Sequence, residues 1–503
     1  MNSDSSEAHV IAEAPSTSAF GDIDRTLIRG VAWLGMMKWA GQIVAWAATF
    51  VVARLLTPND YGVVGAASLY LGLLTIVSEF GIGSAVVVLR TLTAAQLRQI
   101  NTISVGFGLI GFAVSAALSH WVAQFFRSPA VGPVVIALSS TFLIGSFRTV
   151  PWALLQRDMR FRRIAAFEGM QSIVLAGLSV VMALAGFRYW TLVIASIVSA
   201  TITAGLALTF HWVGFARPVW GEVRRAVIFS KDIILQRIAW FTYSNSDFLV
   251  AGRMLGEQAL GGYTMAWTLA NTPIDKIGSV ILQVTPSILS AVQHDQAATA
   301  RYVASTTEAV AGATFPLFIG LALVAPDFVS VVLGAKWAFI ITPLRLLSLY
   351  ACFRVILPVL AQVLTIRGEE RFAAHNMMVG AVLLPVTFLI ASRWGLTGIA
   401  TGWILVHPLI AYRLVDRALN SLGMTFRQFF AKPLWPALSS SAVMAVAVFA
   451  VHTLVPSGTP GWQRLMASTA AGAVGYCGSM VVLHRDRLRV LFSMFATLKS
   501  SPA

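Results

Sequence analysis

Ionisable side chains recur inside long apolar stretches of this sequence, and they are the groups best suited to chemistry there. Six of these side chains are basic and four are acidic, so the apolar interior has a cationic surplus. A charge at such depth is costly unless it faces water, a partner or a substrate. Arginine suits an anionic ligand, because its guanidinium group donates paired hydrogen bonds. The ten residues are Lys38, Glu79, Arg148, Glu168, Arg237, Asp247, Asp275, Lys276, Arg345 and Arg354.

The composition places these charges in a membrane protein. The chain has 503 residues, of which 57% are hydrophobic and 11% charged, and its mean hydropathy is +0.76. Soluble domains have about a quarter of their residues charged. The net charge of +15 comes without a basic run or a basic patch interleaved with aromatics outside the loops, so we predict no nucleic-acid partner. A surplus of Lys and Arg instead fits the rule that cytosolic loops are positive.

No motif indicates a metal, a cofactor or catalysis. Cys352 and Cys477 both lie in apolar runs, which argues against a disulfide framework and a cysteine metal site. The histidines have no metal-ligand spacing, and no catalytic constellation is visible. We therefore predict a protein that is not an enzyme and that binds neither metal nor cofactor.

The apolar runs predict an all-α polytopic membrane protein with about fourteen transmembrane helices, because each run is long enough to cross a bilayer. The predicted spans are 29–56, 61–89, 100–124, 131–155, 164–186, 189–213, 228–252, 261–290, 303–333, 339–365, 373–392, 394–416, 433–455 and 462–483.

The loop charges predict the orientation and the division of the chain. With the amino terminus inside, most loop Arg and Lys residues fall on the cytosolic side, which predicts an even number of spans and both termini in the cytosol. The predicted units are a disordered cytosolic tail (1–28), an N-lobe of six helices (29–213), a C-lobe of six helices (228–416), a terminal helix pair (433–483) and a cytosolic tail (484–503).

An internal repeat supports the two lobes. The segment that begins VAGRMLGEQALGGYTMAW at Val250 is a weak echo of VARLLTPNDYGVVGAASLY, so that Arg253 corresponds to Arg54. Six helices return the chain to its starting side, so a six-helix repeat is parallel. Parallel repeats around a central cavity are a known basis for alternating access.

Several segments in order carry a resemblance to a known family: ARLLTPNDYG, EFGIGSAVV, QRDMRFRR, NSDFLVAGRMLGEQALGGYTMAW and LGAKW. Together they resemble the polysaccharide exporters and O-antigen flippases of the multidrug/oligosaccharidyl-lipid/polysaccharide superfamily, in the branch of WzxC, ExoT and TuaB. The similarity runs from about Arg29 to about Asp416.

The resemblance implies a fourteen-helix fold with two pseudo-symmetric lobes in the cytoplasmic (inner) membrane. It implies a flippase whose cargo is an undecaprenyl-diphosphate-linked oligosaccharide for exopolysaccharide or lipopolysaccharide synthesis. The implied partners are this lipid-linked oligosaccharide and membrane lipid, with a polysaccharide polymerase and a chain-length regulator as further candidates.

A cationic cavity suits such a cargo, because its diphosphate is anionic. We expect Lys38, Arg148, Arg237, Lys276 and Arg354 to be the cavity cations, and Glu79 and Asp275 to be the candidates for ion coupling.

Each of these charges also has a structural alternative. Lys38 is close enough to the inner end of its span to snorkel to the interface, and Arg148 and Arg237 fit structural ion pairs equally well. Arg345 and Arg354 are nine positions apart and face opposite sides of a straight helix, so we favour the deeper Arg354. For Asp247, a local ion pair with Arg253 is the simplest interpretation.

Two other functions remain open. A cation-coupled drug exporter of the same superfamily is one, although the basic surplus argues against cationic cargo. A membrane glycan polymerase or ligase is the other, although the short predicted outer loops leave little room for acceptor-binding and catalytic groups.

Overall fold

The protein is described here by a computed structural model, which describes residues 44–78, 83, 86, 87, 89, 91–219, 221, 231–292, 295–456 and 458–485. The first half contains α1 (Val44–Leu55), α2 (Pro58–Ser78), α3 (Ala94–Phe126), α4 (Val131–Arg157), α5 (Phe161–Leu184) and α6 (Trp190–Phe210). The second half contains α7 (Lys231–Val250), α8 (Glu257–Val292), α9 (Gln296–Phe328), α10 (Ile341–Arg354), α11 (Leu357–Ile366), α12 (Glu370–Ala391), α13 (Gly395–Leu405) and α14 (His407–Ser421). A terminal pair follows, α15 (Phe426–Leu454) and α16 (Gly461–Leu483).

The all-α fold class is confirmed, and the described residues contain no strand. Helices are the natural outcome here, because a helix satisfies its own backbone hydrogen bonds where lipid offers no partner. Within the described ranges, nine helical segments are long and apolar enough to span a membrane. Every predicted span overlaps a described helix or a broken helix, the first one only in its second half. The number fourteen stays a prediction.

The two halves meet where α2 crosses α8, near the beginning of both helices. A Cβ atom on Gly62 would lie 1.9 Å from the carbonyl oxygen of Glu257, and one on Gly261 would lie 1.8 Å from the carbonyl oxygen of Pro58. These helices therefore touch backbone to backbone, which only glycine allows at the crossing. The main core cluster surrounds this crossing and draws on both halves.

Two helices of the second half end in the same way. A π-helical turn follows α7 at Ala251–Leu255 and another follows α9 at Val329–Leu333. Gly256 (φ +88°) and Gly334 (φ +98°) then reverse the chain, since glycine adopts a positive φ without steric cost. These turns set the loops that face the first half.

Two predicted spans are broken helices. The tenth divides into α10 and α11 at Val355–Ile356, just before Pro358, and the twelfth divides into α13 and α14 at Val406, just before Pro408. A proline has no backbone N–H group and clashes with the preceding turn, so it accounts for both breaks.

The terminal pair packs against the second half. Helices α15 and α16 lie against each other and against α9. Buried Asp327 of α9 joins them, because it lies 2.8 Å from the guanidinium of Arg464 on α16 and 3.6 Å from the imidazole of His452 on α15. The Tyr476 hydroxyl also donates to the carbonyl of Gly312 on α9, at 2.7 Å.

Gly261→Ala should destabilise the protein, because the added methyl group would collide with the backbone of α2. We expect a loss of about 1–3 kcal/mol from this overpacking and a lower unfolding midpoint for the purified protein in detergent. Gly312→Ala is the matched control, since no atom of the described chain lies within 4 Å of its would-be Cβ, and alanine favours a helix. Equal midpoints for the two variants would contradict the backbone contact.

Candidate functional site

One cavity has a volume of about 700 Å³ and is lined by five of the described helices. We call it the N-half cavity, because α2, α3, α4 and α6 supply most of its described wall and α7 contributes Arg237. Hydroxyl groups are frequent on this wall. They include those of Ser68, Ser104, Thr141, Ser146, Thr149 and Ser196.

Two arginines, both predicted from the sequence, line the N-half cavity. Arg148 lies in the second half of α4, and Arg237 lies in the first half of α7. The guanidinium carbon of Arg148 is 4.9 Å from the ring centre of Trp152, one turn further along α4. This cation–π contact orients the guanidinium. Positive charge among hydroxyl groups suits an anionic ligand that also carries hydroxyl groups.

A smaller cavity of about 300 Å³ lies wholly in the second half, and we call it the C-half cavity. Its wall includes the aromatic rings of Trp240, Tyr243, Trp267, Tyr350 and Trp403. The breaks between α10 and α11 and between α13 and α14 both lie on it, since Arg354, Leu357 and His407 are lining residues.

Arg354 is the cation of this second cavity. Its guanidinium donates a hydrogen bond to the side-chain oxygen of Asn271, and its Cζ atom lies 5.0 Å from the ring centre of Trp267. The structure therefore brings together Arg148 and Arg237 and places Arg354 in a different cavity. Arg345, by contrast, uses its Nε atom to reach the carbonyl of Ala322 at 3.1 Å and lines neither cavity.

The other predicted site residues lie outside the description. Lys38 and Glu79 are not among the described residues. Asp275 and Lys276 belong to the helical backbone of α8, but their side chains are outside the described part. Their proposed roles, in cation binding for Lys38 and Lys276 and in ion coupling for Glu79 and Asp275, stay predictions.

Asp247 has different partners from those predicted. It is fully buried and accepts hydrogen bonds from the Tyr263 hydroxyl at 2.7 Å, the Trp403 indole at 2.9 Å and the backbone of Phe248 at 2.9 Å. Arg253 instead donates to the carbonyl of Phe125 at 2.9 Å. The expected ion pair between Asp247 and Arg253 is wrong, because the π-helical turn after α7 carries Arg253 to the other half.

The two halves exchange arginine hydrogen bonds at one end of the molecule. Arg253 of the second half reaches the end of α3 at Phe125, and Arg54 of the first half donates to the carbonyl of Val331, just after α9, at 2.9 Å. These are the two arginines that the internal repeat aligns. Each one bonds to the end of the third predicted span in the opposite half.

Two further bonds close the same end. The Lys336 ammonium donates to the carbonyl of Arg54 at 2.7 Å, and the buried Trp337 indole donates to the carbonyl of Ala53 at 3.0 Å. We call this region, with the α2–α8 crossing, the sealed end. The arginines of the N-half cavity lie away from it, since Arg148 approaches the opposite end of α4.

Comparison with known protein families assigns the chain to one of them. A family model described as "Polysaccharide biosynthesis protein" matches residues 51–342, which is more than half of the chain. The chain belongs to this family.

Curated relatives agree with the assignment to the polysaccharide biosynthesis protein family. The chain is 24% identical to the lipopolysaccharide biosynthesis protein WzxC of Escherichia coli (strain K12), covering 75% of this chain and 78% of WzxC. It is 23% identical to the teichuronic acid biosynthesis protein TuaB of Bacillus subtilis (strain 168), covering 80% and 84%. It is 24% identical to the succinoglycan biosynthesis transport protein ExoT of Rhizobium meliloti (strain 1021), covering 95% and 97%. The predicted resemblance is confirmed.

Solved structures show the same fold. The lipid II flippase MurJ in an inward closed conformation matches with a TM-score of 0.73, at 11% identity, over 91% of this chain and all of MurJ. An inward-facing multidrug resistance transporter of the MATE family matches with a TM-score of 0.59, at 14% identity, over 76% of this chain and 94% of that chain. At these identities the likeness concerns the fold alone. This polysaccharide biosynthesis protein is a multi-span membrane protein with a fold like that of MurJ and of this MATE transporter.

The sequence analysis did not predict the aromatic wall of the C-half cavity, although the spacing of its residues indicates it. Four pairs of side chains are spaced four residues apart; in three of them both residues lie on one face of one helix, and the fourth spans the break between α13 and α14. The pairs are Tyr243 with Asp247, Tyr263 with Trp267, Tyr350 with Arg354, and Trp403 with His407. All eight side chains meet around Trp403 or line the cavity beside it.

Replacing Arg54 and Arg253 together by alanine should favour opening of the sealed end. Two hydrogen bonds of about 1 kcal/mol each correspond to a shift of about thirtyfold in the closed-to-open ratio. With Ser68→Cys as a probe in the N-half cavity and Cys352 and Cys477 replaced by alanine, a membrane-impermeant maleimide added outside intact cells should label the double variant faster than its parent.

The control for this experiment is Arg393→Ala, an exposed arginine that the loop charges place on the same side. It should label at the parental rate. Unchanged labelling of the double variant would mean that the exchanged arginines do not hold this end closed.

Proposed function

We propose that this protein carries lipid-linked oligosaccharides from the inner to the outer leaflet of the cytoplasmic membrane, without a covalent step. The proposed cargo is an undecaprenyl-diphosphate-linked repeat unit for surface polysaccharide synthesis, and both termini lie in the cytosol. The observation that carries the proposal is the N-half cavity, where Arg148 and Arg237 lie among hydroxyl groups in a chain of the polysaccharide biosynthesis protein family.

The chemistry of the cavity fits both parts of such a headgroup. Arginine forms paired, charge-assisted hydrogen bonds with phosphate oxygens, so the two arginines suit the diphosphate. Most of the serine and threonine hydroxyls donate to backbone carbonyls, and their oxygens can still accept hydrogen bonds, so they suit the hydroxyl groups of a sugar. A volume of about 700 Å³ lies within the range of ligand-binding pockets.

Alternating access explains how the cargo would cross. The sealed end is closed by hydrogen bonds between the halves, and the arginines of the cavity lie away from that end. By the loop charges the sealed end faces outward, so this conformation is ready to load from the cytosol. Opening of the sealed end and closure of the other would then move the bound headgroup across the membrane.

The membrane potential assists this direction. An inside-negative potential favours outward movement of an anion by about 2.3 kcal/mol per charge for each 100 mV. After release, the positive charge of the empty cavity is drawn back toward the cytosol. The anionic cargo therefore obtains part of its driving force from the potential.

A drug exporter is the second candidate, because a MATE transporter shares the fold. A cationic drug would meet Arg148 and Arg237 in the N-half cavity and Arg354 in the C-half cavity. These like charges disfavour its binding, so we rank this function below the flippase.

Arg148→Ala and Arg237→Ala should each reduce flipping about ten- to a hundredfold, since hydrogen bonds to charged groups contribute about 1.5–3 kcal/mol. The variants are expressed in the native host after deletion of the gene, and surface polysaccharide and the leaflet position of lipid-linked units are measured. We expect lost polymer and intermediates trapped on the cytosolic leaflet. Arg148→Lys should restore part of the activity, because it keeps the charge.

Arg162→Ala is the matched control, since Arg162 is an exposed residue of α5 outside both cavities. It should support normal polysaccharide. Intermediates that reach the outer leaflet without being polymerised would indicate a polymerase instead. Unchanged polysaccharide with new drug sensitivity after deletion would favour the drug exporter.

A further inference from the structure

The C-half cavity has the side-chain composition of a carbohydrate site. Trp240, Tyr243 and Trp267 stand on its wall, and Trp403 and Tyr350 stack on each other beneath them. Aromatic faces pack against the apolar C–H face of a sugar ring, which leaves the hydroxyl groups at the ring edge to bind polar groups. Trp240 is 56% exposed and forms the rim, while Trp403 is 2% exposed and lies at the base.

Two buried polar atoms on this wall lack a partner among the described residues. They are the side-chain oxygen of Asn376 and the Nδ1 atom of His407. Asn376 is 6% exposed and His407 is 2% exposed. A buried polar atom without a hydrogen bond costs free energy, so a site that keeps two of them beside a cavity is suited to a ligand with hydroxyl groups.

The neighbouring polar groups are held in place by the protein. The other ring nitrogen of His407 hydrogen-bonds to the Tyr243 hydroxyl, and Arg354 is fixed by Asn271 and by the face of Trp267. Gly380 sets the position of Tyr243, because a Cβ atom there would lie 2.6 Å from its ring. The cavity therefore has fixed polar groups around aromatic faces, as a preorganised site requires.

The two helix breaks of the second half also support a binding site at the C-half cavity. Irregular backbone is tolerated at membrane depth where it lines a cavity or is buried in protein, and discontinuous helices mark binding sites in transporters. Here both breaks of the second half, at Val355–Ile356 and at Val406, adjoin the same cavity.

Helix α7 connects the two cavities. Arg237 lines the N-half cavity, whereas Trp240 and Ser244 line the C-half cavity. Spacings of three and seven residues place all three side chains on one helix face. The rise from Arg237 to Trp240 is about 4.5 Å and to Ser244 about 10 Å, so a diphosphate at Arg237 would have its first sugars within reach of the second cavity.

We infer that the C-half cavity is a sugar-binding subsite, which holds one ring of the oligosaccharide head while the N-half cavity holds the diphosphate. This inference rests on the proposed function for the identity of the cargo. A hydrocarbon chain would leave the Asn376 and His407 atoms unpaired, and a cation would be repelled by Arg354. A neutral or acidic sugar satisfies all of these groups.

The test uses the purified full-length protein in lipid nanodiscs and saturation-transfer NMR. The probes are free glucose, galactose, N-acetylglucosamine and glucuronic acid, each at millimolar concentration. We expect saturation transfer to at least one of these sugars and at least a tenfold loss of its affinity in Asn376→Leu and in Trp240→Ala. Trp435→Ala is the control, since Trp435 is 64% exposed on α15 and outside both cavities, and it should bind as the parent does.

Unfolding midpoints distinguish binding from folding. Asn376→Leu removes an unpaired buried oxygen, so its midpoint should equal or exceed that of the parent. A lowered midpoint for Asn376→Leu together with normal sugar binding by Trp240→Ala would overturn the inference. Absence of saturation transfer to any of the four sugars in the parent protein would also overturn it.

Inorganic diphosphate provides a separate test of the proposed function. Its binding to the parent, and its loss in Arg148→Ala, report on the N-half cavity alone. Diphosphate binding without sugar binding would overturn the subsite and leave the proposed function standing. Sugar binding that depends on Asn376 without any diphosphate binding would support the subsite and contradict the proposed flippase.

Discussion

The close approach of α2 and α8 is the constraint on which the architecture depends. At Gly62 and Gly261 the two helices touch backbone to backbone, and dispersion falls off steeply as such surfaces separate. Where lipid replaces water, helices gain little from the hydrophobic effect and rely on such close packing. The crossing brings the neighbouring loops together, so that Arg54 and Arg253 reach carbonyl oxygens of the opposite half. The hydrogen bonds of the sealed end therefore depend on the α2–α8 crossing.

Polar contacts at the sealed end suit a junction that must open. Its bonds run from Arg, Lys and Trp side chains to carbonyl oxygens such as those of Val331, Phe125, Arg54 and Ala53. Water can replace each of these bonds when the halves part, so the bonds themselves add little to the cost of opening. The internal repeat gives each half one arginine of the pair, and both bonds would break in a single movement of the halves.

The sequence predicted the general fold well, because hydropathy and helix length are set by the bilayer itself. It also aligned Arg54 with Arg253, but it did not predict their partners, since a backbone carbonyl leaves no mark in a sequence. It assigned Arg354 to the same cavity as Arg148 and Arg237. The structure separates them, because α10 ends at Arg354 and α14 begins at His407 beside the C-half cavity, whereas Arg148 and Arg237 line the N-half cavity. The sequence stays apolar across such breaks, so its hydropathy does not reveal them.

Helix α7 gives the two cavities a common wall and so links the steps of the proposed transport. It packs against α12 within its own half and against α2 of the other half. It carries Arg237 in one cavity and Trp240, Tyr243 and Ser244 in the other. Because α7 ends in the π-helical turn that presents Arg253 to Phe125, a tilt of this helix would alter both cavities and the seal together. A headgroup bound across both cavities contacts α7 at two points. A ligand whose contacts with α7 differ between two orientations of this helix shifts the equilibrium between the two conformations.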